Sequence, residues 1–217
     1  MGYGQYRRGN QETYQSGILK DYNMANYYIS DLHLGHANVI RFDNRPFADI
    51  HEMEEEIIHR WNARVTPQDT VYIIGDFCWL TSNNWIPIIQ KLKGRKVLVR
   101  GNHDPKHIEG KLRKLFDDVK DYKEISDNGR RVCMCHFPIL LYNHSHSANS
   151  YMLCGHVHNT KENDWLVKWR TEIRKKRTQD GIGNYGNIIN VGCMMPYMDY
   201  TPRTLDELIK GVDWHVG

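Results

Sequence analysis

The sequence predicts one α/β domain built on a mixed sheet or on two sheets. Short β-rich runs alternate with helical apolar spacing early in the chain, and mostly strand-like runs follow. The chain has 217 residues, 40% hydrophobic and 25% charged. That length suits one domain with a sizeable core, and that composition suits an ordered chain.

The elements follow in order. Residues 1–25 are rich in Gly, Tyr, Gln and Asn, lack an apolar period and read as an N-terminal extension; 26–217 reads as the domain. Asn26–Ser30 (NYYIS), Thr70–Ile74 (TVYII) and Lys96–Arg100 (KVLVR) read as strands. Asp49, with Glu52 three residues on, reads as a helix cap. Ile50, Met53, Ile57 and Trp61 then recur on one helical face that should pack on a sheet. Asn84 is the expected cap of a second helix, with Pro87 in its first turn and Gly94 ending it. A third helix is expected over Asp104–Asp117, burying Ile108, Leu112 and Leu115. Arg131–Cys135, Ser150–Cys154 and Asn187–Val191 read as later strands. The cysteines of these strands, Cys133, Cys135 and Cys154, read as small buried hydrophobes.

The net charge of +3 excludes a histone-like or strongly acidic chain. The longest apolar stretches are too short to cross a bilayer, and no apolar stretch follows the polar Met1–Asn10. Five cysteines suggest reduced thiols and a cytoplasmic location. Twelve histidines are the unusual entry in the composition.

Five polar motifs each follow directly on a predicted strand: Asp31-Leu-His33, Gly75-Asp76, Gly101-Asn-His-Asp104, His136 and Gly155-His-Val-His158. Loops beyond the carboxyl ends of strands are where α/β sheets bind ligands, so these groups should meet at one edge. Aspartate, asparagine and imidazole donors together suit Mn, Fe or Zn and are poor for an all-oxygen calcium site. Residues i and i+2 of an extended segment share a side, so Asp-x-His and His-x-His can both aim at one cluster. Glycines before Asp76, Asn102 and His156 leave room for sharp turns.

The set DxH, GD, GNHD, H and GHxH resembles the calcineurin-like metallophosphoesterase superfamily, within it the compact prokaryotic and phage phosphoesterases. The resemblance covers residues 26–209 and implies a four-layer α/β/β/α sandwich of two mixed sheets with a dinuclear metal centre at its edge. It implies one metal on Asp31, His33, Asp76 and His158. The other would take Asp76, Asn102, His136 and His156, with Asp76 bridging. Manganese is the first choice of metal, with Fe, Zn, Ni or Mg as alternatives. Two dications against two aspartates leave a first shell of about +2, an anion trap. His103 would lie beside the metals without binding one and act as general acid, its ring oriented by Asp104 or a backbone carbonyl.

Two further residues of the first loop are candidate substrate contacts. His36 could touch the phosphate or donate a proton, or simply pack. Arg45 could clamp a phosphate oxygen, or pair on the surface with Asp43 or Asp49. The Asp-Arg pair that Ser/Thr protein phosphatases carry after the first Gly-Asp is absent here, where the string is Gly75-Asp-Phe-Cys-Trp-Leu. That counts against protein phosphatase activity.

Residues 161–186 read as a basic insertion, a helix capped by Asp164 with Trp165, Trp169 and Ile173 packing on the body. Lys168, Arg170, Arg174, Lys175, Lys176 and Arg177 against Glu172 give a local net charge of +5. Such a face could hold a nucleic-acid strand or be a solvated helix. Gly181, Gly183 and Gly186 suggest a mobile connection beyond it. The expected activity is hydrolysis of phosphodiesters, of nucleotides or nucleic acid. A phosphomonoesterase and a nucleic-acid-binding protein without turnover are the alternatives.

Overall fold

The computed structural model describes residues 24–181 and 186–214. Its first sheet joins β1 (Asn26–Ile29), β2 (Thr70–Ile73), β3 (Arg95–Val99) and β4 (Asp118–Lys120) in sequential order, all parallel. Sequential order with right-handed crossovers puts every connecting helix on the same face. Those connections carry α1 (Asn38–Phe42), α2 (Ile50–Arg64), α3 (Ser82–Lys91) and the short α4 (Gly110–Arg113). The opposite face is thereby left for the second sheet.

That sheet runs β5 (Lys123–Asp127), β6 (Arg130–Met134), β7 (Ser150–Cys154) and β8 (Ile188–Asn190). β5 and β6 are antiparallel, while the other two pairings are parallel. Their hairpin turns on Asn128-Gly129, both at positive φ, the Asn-Gly turn whose twist matches the strands. The sheets pack face to face. Tyr28 is fully buried and donates to Asp127 Oδ2 across the layers at 2.8 Å. One hydrophobic cluster takes in Ile29, Ile73, Val99, Val132, Leu153 and Ile189 from both sheets, with Met53, Ile57 and Trp61 of α2.

The outer face of the second sheet is covered by α5 (Lys161–Gln179). Leu166 and Trp169 pack there on Cys133, Met152, Cys154 and Ile188, a separate cluster. Cys133 and Cys154 are thus buried, as their strand position implied, and Cys135 is half-buried against the same cluster. α6 (Leu205–Gly211), closed by a Thr204–Glu207 capping box, covers one end.

Several expectations need correction. The four strands of the first sheet are all parallel, and its antiparallel character is limited to the bridge Tyr28–Arg203 beside β1. The third helix shrinks to Gly110–Arg113, although Ile108 and Leu112 are buried as expected. α3 starts earlier than expected, with Thr81 rather than Asn84 at its N-cap. Strands β4 and β5 were not foreseen, because their polar edge sequences DVK and KEISD carry no apolar run. Asp49 does cap α2, accepting from His51 and Glu52 N–H groups, and Glu52 reaches back to Ala48 N–H. In α5 Thr160, not Asp164, receives the first-turn N–H, that of Glu162. Trp165 is 67% exposed, and the buried face runs instead through Asn163, Leu166 and Arg170. The basic run is also divided: Arg170 is buried on the Ile188 and Asp213 carbonyls, and Arg174 bonds Asn187, while Lys168, Lys175 and Lys176 are exposed. The 1–25 extension, apart from Met24 and Ala25, and Gly183 lie outside the described residues. No helix among the described residues is long and apolar enough to cross a membrane.

The Tyr28–Asp127 bond offers a test of how the layers are joined. Tyr28→Phe strands a buried carboxylate oxygen and should cost about 1–3 kcal/mol. A urea titration should show a lower midpoint at unchanged slope.

Candidate active site

The five motifs meet where the strands of both sheets end. β1 runs into Asp31 and His33, β2 into Gly75-Asp76, and β3 into Gly101-Asn-His-Asp104. β6 and β7 run into His136 and into Gly155–His158. Backbone bonds join neighbouring loops: Asp31 N–H to Gly75 O at 3.0 Å, His33 N–H to Asp76 O at 3.0 Å, and Gly155 N–H to His136 O at 2.9 Å. The sheets themselves join there, because Ser30 bonds Val191 O and Cys193 N–H, each at 2.9 Å.

The backbone is strained where the donors sit. Asp31, His33, Asp76, His156 and His158 all have left-handed φ, between 45° and 71°. Each such residue costs of order 1–3 kcal/mol and persists where its surroundings enforce it. Close packing against glycine is one enforcer. A Cβ on Gly101 would lie 2.2 Å from Asp76 Oδ1, and one on Gly155 would lie 2.3 Å from Asp31 Oδ2. Gly75 has φ +83° and faces the His136 ring, so it serves both turn and approach. At Gly101 and Gly155, then, the need is for space, not for a turn.

The structure brings all seven expected donors together. His33 Nε2 faces His158 Nε2 at 3.2 Å, and His158 Nε2 lies 3.6 Å from Asp31 Oδ1. Asp76 Oδ2 lies 3.6 Å from His33 Nε2 and 3.4 Å from His136 Nε2. Asn102 Oδ1 is 3.0 Å from both His136 Nε2 and His156 Nδ1. Asp31, His33 and His158 hold one ligand atom each within 4.8 Å of one another, as do Asp31, Asp76 and His136. Asp31 is common to these two groups, whereas the resemblance implied Asp76 as the bridge. Asp76 nonetheless faces both sides of the cluster. The donor set fits metal: carboxylate oxygens and imidazole nitrogens from separate loops converge within a few ångströms, a mixture that suits Mn, Fe or Zn.

Charge is unevenly shared across these groups. Burial opposes ionisation of Asp76, but its hydrogen bond and charge contact with His136 prevail and hold it down at about 2. Burial likewise opposes charge on His136, yet Asp76 and Asp31 push it up to about 9. For His33 burial wins, helped by His158, Arg45 and His103, and lowers it to about 3. Burial raises Asp104 to about 6, against the backbone bonds it accepts.

The outer contacts refine the expected roles. Arg45 is not a substrate clamp. Its side chain is fully buried, donating to Asp43, to the Asp31 carbonyl at 2.9 Å and to the Leu32 carbonyl at 2.9 Å. Its pairing with Asp43 is real, but it is internal. Asp43 passes the constraint on, its Oδ1 taking His158 Nδ1 at 2.7 Å. That bond fixes the tautomer and turns Nε2 toward His33. Asp104 does not orient His103; it accepts the N–H groups of Asp76, Phe77 and Gly101 and so ties two loops together. His103 donates its backbone N–H to Asp76 Oδ1 at 2.9 Å, and its exposed ring lies 5.7 Å from that of His33. His36 stacks on Trp79 at 4.2 Å and 5.9 Å from His33. Asp43, Trp79 and Phe137 were not foreseen as parts of the site. Asp43 sat in view as a partner for Arg45, with nothing in the sequence to show its second contact.

The family model of the calcineurin-like phosphoesterase superfamily domain matches residues 24–205. The chain belongs to that superfamily. It is 29% identical over 191 residues to an uncharacterised protein of Methanocaldococcus jannaschii, covering 86% of this chain and 90% of that one. It is 25% identical to the Gene 66 protein of Mycobacterium phage L5, over 71% of this chain and 92% of that protein. Among solved structures, a protein of unknown function from Aquifex aeolicus superposes with a TM-score of 0.61 at 27% identity, covering 88% of this chain and all of that one.

Two predictions test the site. Asp43→Asn keeps the size of the side chain but weakens the hold on His158, and should reduce metal affinity about 10–100-fold in a titration monitored by calorimetry. In chelator-treated protein, His33 and His136 act on stability in opposite directions. Against an unfolded value of about 6.5, folded His136 keeps a proton up to about pH 9, so its contribution is lost as pH rises through that window. Folded His33 refuses a proton down to about pH 3, so its contribution is lost as pH falls below about 6.5. Denaturant midpoints of the metal-free protein should therefore fall as pH rises from about 6.5 to about 9, while below about pH 6 the raised Asp104, which takes its proton first in the folded state, offsets the loss at His33. A midpoint unchanged between pH 6.5 and 9 would contradict the His136 assignment.

Proposed function

We propose that the chain is a metal-dependent hydrolase of phosphodiesters. The observation that carries this reading is the convergence of three oxygen-bearing side chains and four imidazoles from both sheets on one cluster, inside a phosphoesterase superfamily. Asp31, His33, Asp76 and His158 would hold one ion, and Asp76, Asn102, His136 and His156 the other. Bound ions of this kind supply Lewis acidity toward a phosphoryl oxygen. The rest is the work of the chain. Asp43 and Arg45 keep His158 in register, and Asp104 holds the loops that carry Asp76 and Asn102. His103 is anchored through its backbone to Asp76, while its exposed ring can carry a proton to the leaving oxygen. The diester is favoured over the monoester because Arg45, the guanidinium that could have met a monoester's extra anionic oxygen, is spent on buried carbonyls and Asp43.

With Mn²⁺ supplied, bis-p-nitrophenyl phosphate should be hydrolysed faster than p-nitrophenyl phosphate; the reverse order would overturn the diester reading. His103→Ala should keep its metals and lose on the order of 10²–10⁴ in rate. The loss should be smallest for p-nitrophenolate, which needs little protonation, and largest for alkoxide leaving groups. Loss of metal, or equal slowing of both, would remove His103 from the acid role.

A further inference from the structure

Large apolar side chains exposed to water are few among the described residues, and two of them adjoin the proposed centre. Trp79 and Phe137 are each 46% exposed. Phe137 directly follows His136 and lies edge-on to the His156 ring at 4.7 Å and to the His136 ring at 5.3 Å. Trp79 comes three residues after Asp76. It stacks flat on His36 at 4.2 Å, tilts against His103 at 4.6 Å and lies 6.4 Å from His33. One ring therefore stands beside His136 and His156, and the other beside His33 and the proposed acid His103.

Neither ring is placed by the needs of the core, since nearly half of each faces solvent. Each touches imidazoles of the site over part of its ring and leaves nearly half of its surface open. Exposed aromatic planes on both sides of an anion-binding centre suit a substrate whose phosphate carries a flat group on each side. We propose that Phe137 and Trp79 are stacking platforms for nucleobases, so that the substrate is a phosphodiester linking two nucleosides. This rests on the phosphodiesterase reading and adds the substrate class. Because His103 lies against Trp79, the leaving nucleoside belongs on Trp79 and the retained one on Phe137. Stacking on an aromatic side chain is tolerant of base identity, so the preference should be for nucleosides rather than for one base.

The test compares two esters with the same leaving group, thymidine 5′-p-nitrophenyl phosphate and methyl p-nitrophenyl phosphate, in the Mn²⁺-loaded protein. The ratio of their kcat/KM values reports the retained group alone. Wild type should favour the thymidine ester about 10-fold or more. Phe137→Ala should remove most of that ratio, and Phe137→Tyr should restore it. Trp79→Ala should leave it in place, because both esters present the same leaving group to that ring. A wild-type ratio near one, or a ratio unmoved by Phe137→Ala, would overturn the stacking assignment. Equal loss in both variants would overturn the assignment of sides. If neither ester turns over, the phosphodiesterase reading fails, and calorimetry still decides the platform. Thymidine 5′-monophosphate binding more tightly than inorganic phosphate, with the difference lost in Phe137→Ala, would uphold it. Equal binding would end it.

Discussion

The end of this molecule where the five motifs meet depends on one short seam. Ser30, just past β1, exchanges hydrogen bonds with Val191 and Cys193, just past β8. The first sheet delivers Asp31, His33, Asp76 and Asn102, and the second delivers His136, His156 and His158. Away from the seam the sheets meet largely through apolar packing, which is non-directional, with polar links such as Tyr28–Asp127. The seam converts sheet stacking into a fixed register between loops. Ser30 Oγ adds a bond to Asp31 Oδ2 at 2.6 Å, and His156 N–H reaches the same carboxylate at 3.1–3.2 Å.

A cluster of like residues held so tightly has an energetic cost, and it is carried locally. The left-handed conformations at five donors are unfavourable by themselves. They are offset by Arg45 on the Asp31 and Leu32 carbonyls, by Asp104 on three backbone N–H groups, and by Asp43 behind His158. These supports are buried polar groups with satisfied bonds, the form in which such groups rigidify a site.

Much of this was legible in the sequence, and the reasons are physical. Six strands were visible because a buried strand must be an apolar run, and each is found within a residue of where NYYIS, TVYII and the others place it. The donors were visible because they follow those strands directly. What escaped notice depends on partners distant in sequence or on signals that are weak locally. β4 and β5 are polar edge strands; the Asn128-Gly129 turn did mark the β5–β6 hairpin, and it went unused. Arg45 reads as a phosphate clamp or a surface ion pair because nothing in its neighbours shows that the carbonyls of Asp31 and Leu32 will turn toward it. In α5 the helical period misplaced Trp165 but not Trp169: spacing of four names a stripe, yet the buried positions, Leu166 and Arg170, lie one residue further round, with Trp169 at the edge of that face.

The separate cluster beneath α5 has a consequence for how such a protein can change over time. The first turns of that helix are bound into the centre, through Asn163 to Asn190 and from Asn190 to the His158 carbonyl at 2.8 Å. Leu166 and Trp169, in its middle turns, rest on Cys133, Met152 and Ile188 of the cluster set apart from the main core, while Lys175, Lys176 and Gln179 at its far end are exposed. Substitutions, extensions or charge reversals at that far end can be absorbed without disturbing the packing that supports the clustered Asp and His residues. A lineage could thus vary its outer coat and keep its chemistry, with drift tolerated at one end of a single helix and purged at the other.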